Sequence, residues 1–198
     1  MATLELNSVQ TSLHPQPLSL TVSSGQVVYV NAEAETGNEL LLSTLGLRPI
    51  TAGVVSIDGA PLTSLSAPYF RQLTGYAPAD IQLRPDAAIE RSLRGGGNSP
   101  STTAQWLTEA LGVPQQRLAD VEAEGATLMF DTRTMLMPPT ALTQEQRRRL
   151  LLAAAVIRAK QVLLVCHPLC PEGYLEQVAQ QRQTAVLAII PVTTQQNV

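Results

Sequence analysis

The stretch Val28 to Leu47, VYVNAEAETGNELLLSTLGL, has the layout of a phosphate-cradling turn: an apolar strand, a short polar turn, then an apolar helix. Such a turn uses glycines to bring backbone N–H groups close to a phosphate. It also uses a Lys to hold the β- and γ-phosphates and a Ser or Thr to ligate Mg²⁺. Here Gly37 stands in the place of the Lys, and Asn38 and Glu39 stand in the hydroxyl places. Glu33 and Glu35 add negative charge to the turn. Like charge beside a triphosphate is an energetic penalty. The expectation is a phosphate-binding scaffold whose ligand groups have been replaced.

Other residues could carry chemistry. Cys166, His167 and Cys170 form a Cys-His-x-x-Cys cluster at a strand end. It lacks a visible fourth ligand and the usual paired spacing of a metal site, so two thiols and a loop histidine are the favoured reading. A thiol next to an imidazole suggests nucleophilic chemistry only weakly, because neighbours on a strand point to opposite faces. Arg147, Arg148 and Arg149 are the one basic run, read as a solvated helix start rather than a docking patch. Met129, Phe130, Met135 and Met137 crowd a stretch without a helix or strand period. They are either an adaptable contact surface or core packing.

The elements that would position these residues can be read from periodicity. LELNSV and LSLTV are short alternating strands, and Gln26 to Val30 is a buried one. Glu39 to Gly46 reads as a helix with a Gly stop, Gly53 to Asp58 as a strand, Leu62 to Arg71 as containing a short helix, and Gly75 to Ala79 as a strand end. Helices are expected over Asp86 to Leu93 and Thr103 to Leu111, the latter capped by Ser101, Thr102 or Thr103, with a Gly/Ser/Pro-rich loop between them. Val121 to Ala141 carries no firm assignment. Thr143 to Ala159 is a strong helix, Val162 to Val165 a strand, Pro171 to Gln181 a helix and Ala185 to Ile190 a last strand. Continuous apolar strands between helices indicate an α/β fold with a mainly parallel sheet.

Bulk properties narrow the classes. With 198 residues and 44% hydrophobic content, the chain suits one domain with an ample core. A net charge of −3 excludes a basic field for nucleic acid. The start MATLELNSVQ has no signal-peptide character, and the longest apolar run, Leu150 to Ile157, is far short of the ~20 residues that span a bilayer. A cytoplasmic protein with reduced cysteines is expected.

The order of these pieces resembles the ATPase domain of ABC transporters over nearly the whole chain. GQVVYVNAEAETGNELLLSTLGL is similar to the family's strand, Walker A loop and helix, and TAGVVSIDGAPLTSL to its hairpin. FRQLTGYAPAD is similar to the approach to the Q-loop, and LTQEQRRRLLLAAAVIRAKQVLLVCHP to the signature motif, its helix and the Walker B strand. The wording is closest to exporter-type domains. The resemblance implies a P-loop NTPase fold with an N-terminal antiparallel β-subdomain, a single domain over 1–198 and a helical subdomain inserted at 81–141.

The same comparison puts the family's motifs on unlike residues. The Walker A positions fall on Asn31, Ala34, Gly37 and Asn38, and the Q-loop Gln on Ala79. The signature falls on Leu142, Thr143, Gln144, Glu145 and Gln146, without its glycines. The Walker B Asp and catalytic Glu fall on Cys166 and His167, and the switch His on Pro191; Leu13 or His14 lies nearest the adenine-stacking aromatic. Phosphoryl transfer relies on positioning and on Lys and Mg²⁺, and a thiol is too soft for Mg²⁺. The implied protein is therefore a pseudo-ATPase without a cofactor. It would be a scaffold or brake whose partner is a membrane protein or another ATPase domain, peripheral to the membrane at most. A weak ATP-binding subunit and a thiol enzyme built around Cys166 and His167 are the alternatives. Two capping boxes, Thr36 with Glu39 and Thr143 with Gln146, are expected as ordinary helix caps, the first putting Glu39 on the N–H groups a phosphate would use.

Overall fold

The computed structural model describes residues 2–79, 102–109 and 111–192. Two sheets carry the fold. The first is antiparallel, in the order β2-β1-β4-β5, from Thr3–Gln10 (β1), Leu18–Ser23 (β2), Ala52–Ile57 (β4) and Ala60–Pro61 (β5). The second is parallel, in the order β3-β8-β7-β6, from Val27–Asn31 (β3), Thr74–Ala77 (β6), Val162–Cys166 (β7) and Ala185–Ile190 (β8). The helices are Ala34–Thr44 (α1), Ala67–Leu73 (α2), Thr103–Glu109 (α3), Leu118–Thr127 (α4), Gln144–Arg158 (α5) and Tyr174–Arg182 (α6). Among the described residues no helix is long and apolar enough to cross a membrane.

The runs VLLVC and AVLAII are apolar at every position because both faces of the sheet are covered. Alternation then splits the core in two. Leu163, Val165, Val186 and Ala188 face a cluster built with α5 and the helices before it. Leu164, Cys166, Leu187 and Ile189 face a second cluster built with α1 and the antiparallel sheet. β6 lies close under α5 because residue 75 is glycine: a Cβ there would fall 2.0 Å from the Ala155 carbonyl oxygen.

Most expected elements stand within a residue or two of their places. Thr102 is the cap of α3, its hydroxyl accepting from Gln105 N–H at 3.2 Å. The expected helix over Asp86 to Leu93 and most of the loop after it lie outside the described residues, as does much of the 81–141 insertion. Two expectations change. Helix α1 begins at Ala34, not Glu39. The unassigned stretch after Val121 is the end of α4 followed by two short 3-10 turns, Thr132–Leu136 and Pro139–Ala141.

Candidate functional site

The phosphate-type turn is built by β3, α1 and the ends of β7 and β8. Its early helix start decides its chemistry. Only Ala32 and Glu33 separate β3 from α1. Each carbonyl of the turn is already taken. Ala32 accepts from His167 Nε2 at 2.9 Å, Glu33 from Gly37 N–H at 2.8 Å, and Ala34 from the Cys166 thiol at 3.6 Å. A carbonyl can only accept, so Nε2 of His167 carries the hydrogen. The backbone of His167 is pinned as well. Its N–H donates to Ile189 O at 2.8 Å, and its carbonyl accepts from Arg148 of α5.

Gly37 is fully packed. A Cβ at this position would lie 2.5 Å from Ile189 Cγ2 and 3.1 Å from Cys166 Sγ. Glycine at this position, expected in the place of the Lys, is what lets α1 lie on the ends of β7 and β8. Asn38, expected in the hydroxyl place, turns toward β6. Its Oδ1 accepts from the Tyr76 hydroxyl and from the buried Ala79 N–H, both at 3.2 Å. The Asn38 side chain and the residue expected in the place of the Q-loop Gln are joined by a direct hydrogen bond.

Glu39 does not cap α1. The N-cap is Glu33, with no side-chain cap bond, so the expected Thr36–Glu39 box does not form. The box needs Thr36 outside the helix, and the earlier start places it inside. The Glu39 carboxylate instead clasps the loop after β1. It accepts from the Thr11 hydroxyl at 2.7 Å, the Ser12 hydroxyl and the Leu13 N–H at 2.8 Å. Desolvation works to raise its pKa, but these bonds to the charged form outweigh it and hold the pKa below the ordinary carboxylate range.

Cys166 is buried, and desolvation pushes its thiol up to about 11 against the opposing pull of the Ala79 backbone bond and Arg148. Cys170 is likewise raised to about 11 by burial and by Glu176. Thiols that hold their protons at neutral pH are poor nucleophiles. Among the described residues no cluster of three or more His, Cys, Asp or Glu is placed to hold a metal ion.

The ABC transporter family model matches residues 15–169. The chain belongs to the ABC transporter family. Solved structures agree on the fold. An Atm1-family ABC exporter from a bacterium, with ATP bound, aligns at a TM-score of 0.63 and 14% identity, covering 96% of this chain and 34% of the exporter. An ATP-binding subunit of an ABC transporter aligns at 0.61 and 15% identity, covering 96% of this chain and 79% of the subunit. CbiO1 from Clostridium perfringens, part of the transporter complex cbiONQ, aligns at 0.62 and 15%, covering 96% and 78%. This chain therefore spans about a third of the exporter's length. No curated protein matches it by sequence.

The segment expected in the place of the ABC signature opens α5. Its capping box forms as expected: Thr143 Oγ1 accepts from Gln146 N–H at 3.2 Å, and Gln146 Oε1 accepts from Thr143 N–H at 2.9 Å. Glu145 pairs with Arg149 at 2.5 Å. The three arginines are not the solvated run expected. Arg147 donates to Leu142 O at 2.6 Å, Arg148 to His167 O, and Arg149 to Leu128 O and Met129 O at 3.0 Å each. They tie α5 to the neighbouring loops, and their guanidinium forks reach carbonyls that a helix would otherwise leave open.

The methionine segment divides. Phe130 and Met135 are buried in the core and Met137 packs against it. Of the four residues expected as a surface, Met129 is exposed at 74%, joined by Leu136 at 77%. The reason is a helix stop. Met129 has φ 59, its N–H bonds Ala126 O at 3.1 Å, and Phe130 N–H bonds Gly125 O at 2.9 Å. This is a Schellman end, which turns the left-handed residue outward and the next one back onto the helix. Sequence reasoning missed Tyr76, Thr11 and Arg148 as parts of the site; a tyrosine beside the Q-loop position was the one available signal.

Proposed function

We propose that this chain is an ABC-type pseudo-ATPase that works by contact rather than by ATP hydrolysis. One observation carries the reading: α1 starts at Ala34, so Gly37 N–H is spent on Glu33 and the side of Gly37 is filled by Ile189 and Cys166. A nucleotide turn of this kind also needs a Lys on the phosphates, and the packing around Gly37 leaves no room for one. Asn38 bonded to Ala79, and a protonated thiol at Cys166, leave Mg²⁺ without the hard oxygen ligands it requires.

The same reading assigns the partner surface. A cleft of about 210 Å³ lies between the end of α1, α2, β6 and α5, with apolar walls from Leu45, Leu47 and Leu151 beside Arg71 and Arg158. An amphipathic helix with an acidic end, presented by a membrane protein, fits that chemistry. The chain would then be a cytoplasmic scaffold or brake in a transport assembly. The test is titration of Mg-ATP followed by calorimetry and by melting temperature. No heat and no shift at millimolar nucleotide are expected. Since a ligand bound only to the folded state must raise stability, a clear shift at micromolar ATP overturns the reading and supports the weak-binding alternative. Fast alkylation of Cys166 in the folded chain would support the thiol enzyme instead.

A further inference from the structure

A second cleft, of about 400 Å³, lies between α4 and the ends of α5 and α6. Arg182 closes α6 just before β8 begins at Ala185, and Ile157 stands near the end of α5, ahead of β7 at Val162. These strands are parallel to one another and to β3. The cleft therefore sits at the opposite end of the sheet from the phosphate-type turn, which follows the last residue of β3.

One wall is a stripe of α4 and the turn leading into it. Arg117, Asp120, Glu124 and Thr127 recur at spacings of three and four, so they share one face. Arg182 meets the stripe from α6, donating to Glu124 Oε2 at 2.9 Å, and the Tyr174 hydroxyl donates to Glu124 Oε1 at 2.6 Å. Tyr174 is buried, so the core holds Glu124 and Arg182 in place. Arg117 Nε donates to Asp120 Oδ2 at 2.9 Å. A guanidinium carries five N–H donors, and among the described residues Arg117 and Arg182 each spend one nitrogen on a side chain. Glu124 has both oxygens taken, whereas Asp120 keeps Oδ1. Ala123 and Ile157 supply an apolar floor.

We propose that this cleft binds a small zwitterion, an α-amino acid with an apolar side chain. The ligand carboxylate takes the unspent guanidinium edges, two oxygens against two nitrogens. Its ammonium takes Asp120 Oδ1, and its side chain lies on Ala123 and Ile157. The two arginines and two carboxylates of the cleft sum to zero charge. A bare anion faces both carboxylates and a bare cation faces both guanidinium groups, whereas a zwitterion sets each of its charges against the opposite one. The volume falls within the range of small-molecule sites, roughly 300–1,000 Å³. An occupant joins α4 to α6. The site uses no residue of the phosphate-type turn and stands independently of the pseudo-ATPase reading.

NMR titration of the full chain with L-leucine tests the site. Isocaproate, which lacks the ammonium, isoamylamine, which lacks the carboxylate, and inorganic phosphate are the comparison probes. Leucine should give saturable shifts at the amides of Ala123 and Thr127 and the methyls of Ile157. Isocaproate and isoamylamine should each bind at least ~10-fold more weakly, the factor expected from losing one charged hydrogen bond. Arg117 and Asp120 have side chains 40% and 53% exposed, so Arg117→Gln and Asp120→Asn should leave the ligand-free melting temperature unchanged. Each should weaken leucine by about ~10-fold, again one charged hydrogen bond, and Asp120→Asn should also erase the preference for leucine over isocaproate. Should either variant unfold, the other variant and the wild-type probe series still decide. Absence of saturable shifts with leucine overturns the proposal. Phosphate or isocaproate binding as tightly as leucine overturns it in favour of a plain anion site. Leucine binding that survives both substitutions overturns it too, since the ligand would then sit elsewhere.

Discussion

At the residue scale, Gly37 and Glu39, read from the sequence as standing where a nucleotide-binding turn needs a cation and a hydroxyl, make contacts inside the fold: Gly37 packs against Ile189 and Cys166, and Glu39 accepts hydrogen bonds from the loop after β1. Gly→Ala inside a helix ordinarily stabilises by roughly 0.5–1 kcal/mol. At Gly37 the sign should reverse, because a Cβ meets Ile189 at 2.5 Å. Gly37→Ala is expected to cost about 1–3 kcal/mol, as overpacking does, measured by urea unfolding. Ile189→Ala in the same chain should recover part of that loss. Gly37→Lys should destabilise likewise and bind no ATP. Glu39 titrates below the ordinary carboxylate range because its charged form accepts three hydrogen bonds. A depressed folded-state pKa contributes stability that is fully present above the unfolded value of ~4.3 and is lost as pH falls through the folded value. Glu39→Gln should therefore lower the melting temperature at pH 7, by an amount that solvent screening of this partly exposed carboxylate keeps small. The cost should shrink below pH 4, with the melting curves of the two proteins converging in acid.

At the element scale, the end of α4 explains why the methionine segment has no period. A left-handed stop at Met129 sends one side chain outward and returns Phe130 to Gly125. A non-glycine residue in that conformation costs of order 1 kcal/mol. Met129→Gly is expected to raise stability by about that amount, whereas Met135→Asp, at a position only 7% exposed, should prevent stable folding. Chemical denaturation of the two variants separates the roles. Equal, small effects would mean that Met135 is not core.

At the scale of the whole molecule, the cleft bordered by Leu47 and Arg158 lies between the sheet edge at β6 and helix α5. Leu47 is 54% exposed and so can be charged without breaking the core. If the proposed docking of a membrane protein in this cleft is right, Leu47→Asp and Arg158→Glu should each abolish crosslinking of the chain to membrane proteins in native membranes while leaving the melting temperature within about 2 °C of wild type, since surface changes of this kind shift stability by less than ~0.5 kcal/mol. Undiminished crosslinking in both variants would move the docking surface elsewhere, with Met129 and Leu136 the next to test.

The sequence by itself determined the α/β class, the strands VLLVC and AVLAII, helix α5 with its Thr143–Gln146 box, and the family, because these rest on local periodicity, capping chemistry and motif order. It also singled out Gly37, Asn38 and Glu39 as residues of an expected phosphate-type turn. Only the tertiary structure decided what those residues do. The start of α1 depends on Gly37 lying against Ile189 and Cys166, residues more than a hundred positions away, and no local rule reads that. Thr36-x-x-Glu39 has the pattern of a cap, but the carboxylate finds better donors in a loop 26 to 28 residues earlier. The arginines of α5 look solvated in sequence because their carbonyl partners are brought to them by folding. VVYVN reads as a buried strand because its composition is that of one, yet among the described residues β8 is its one strand neighbour and Tyr29 is 44% exposed.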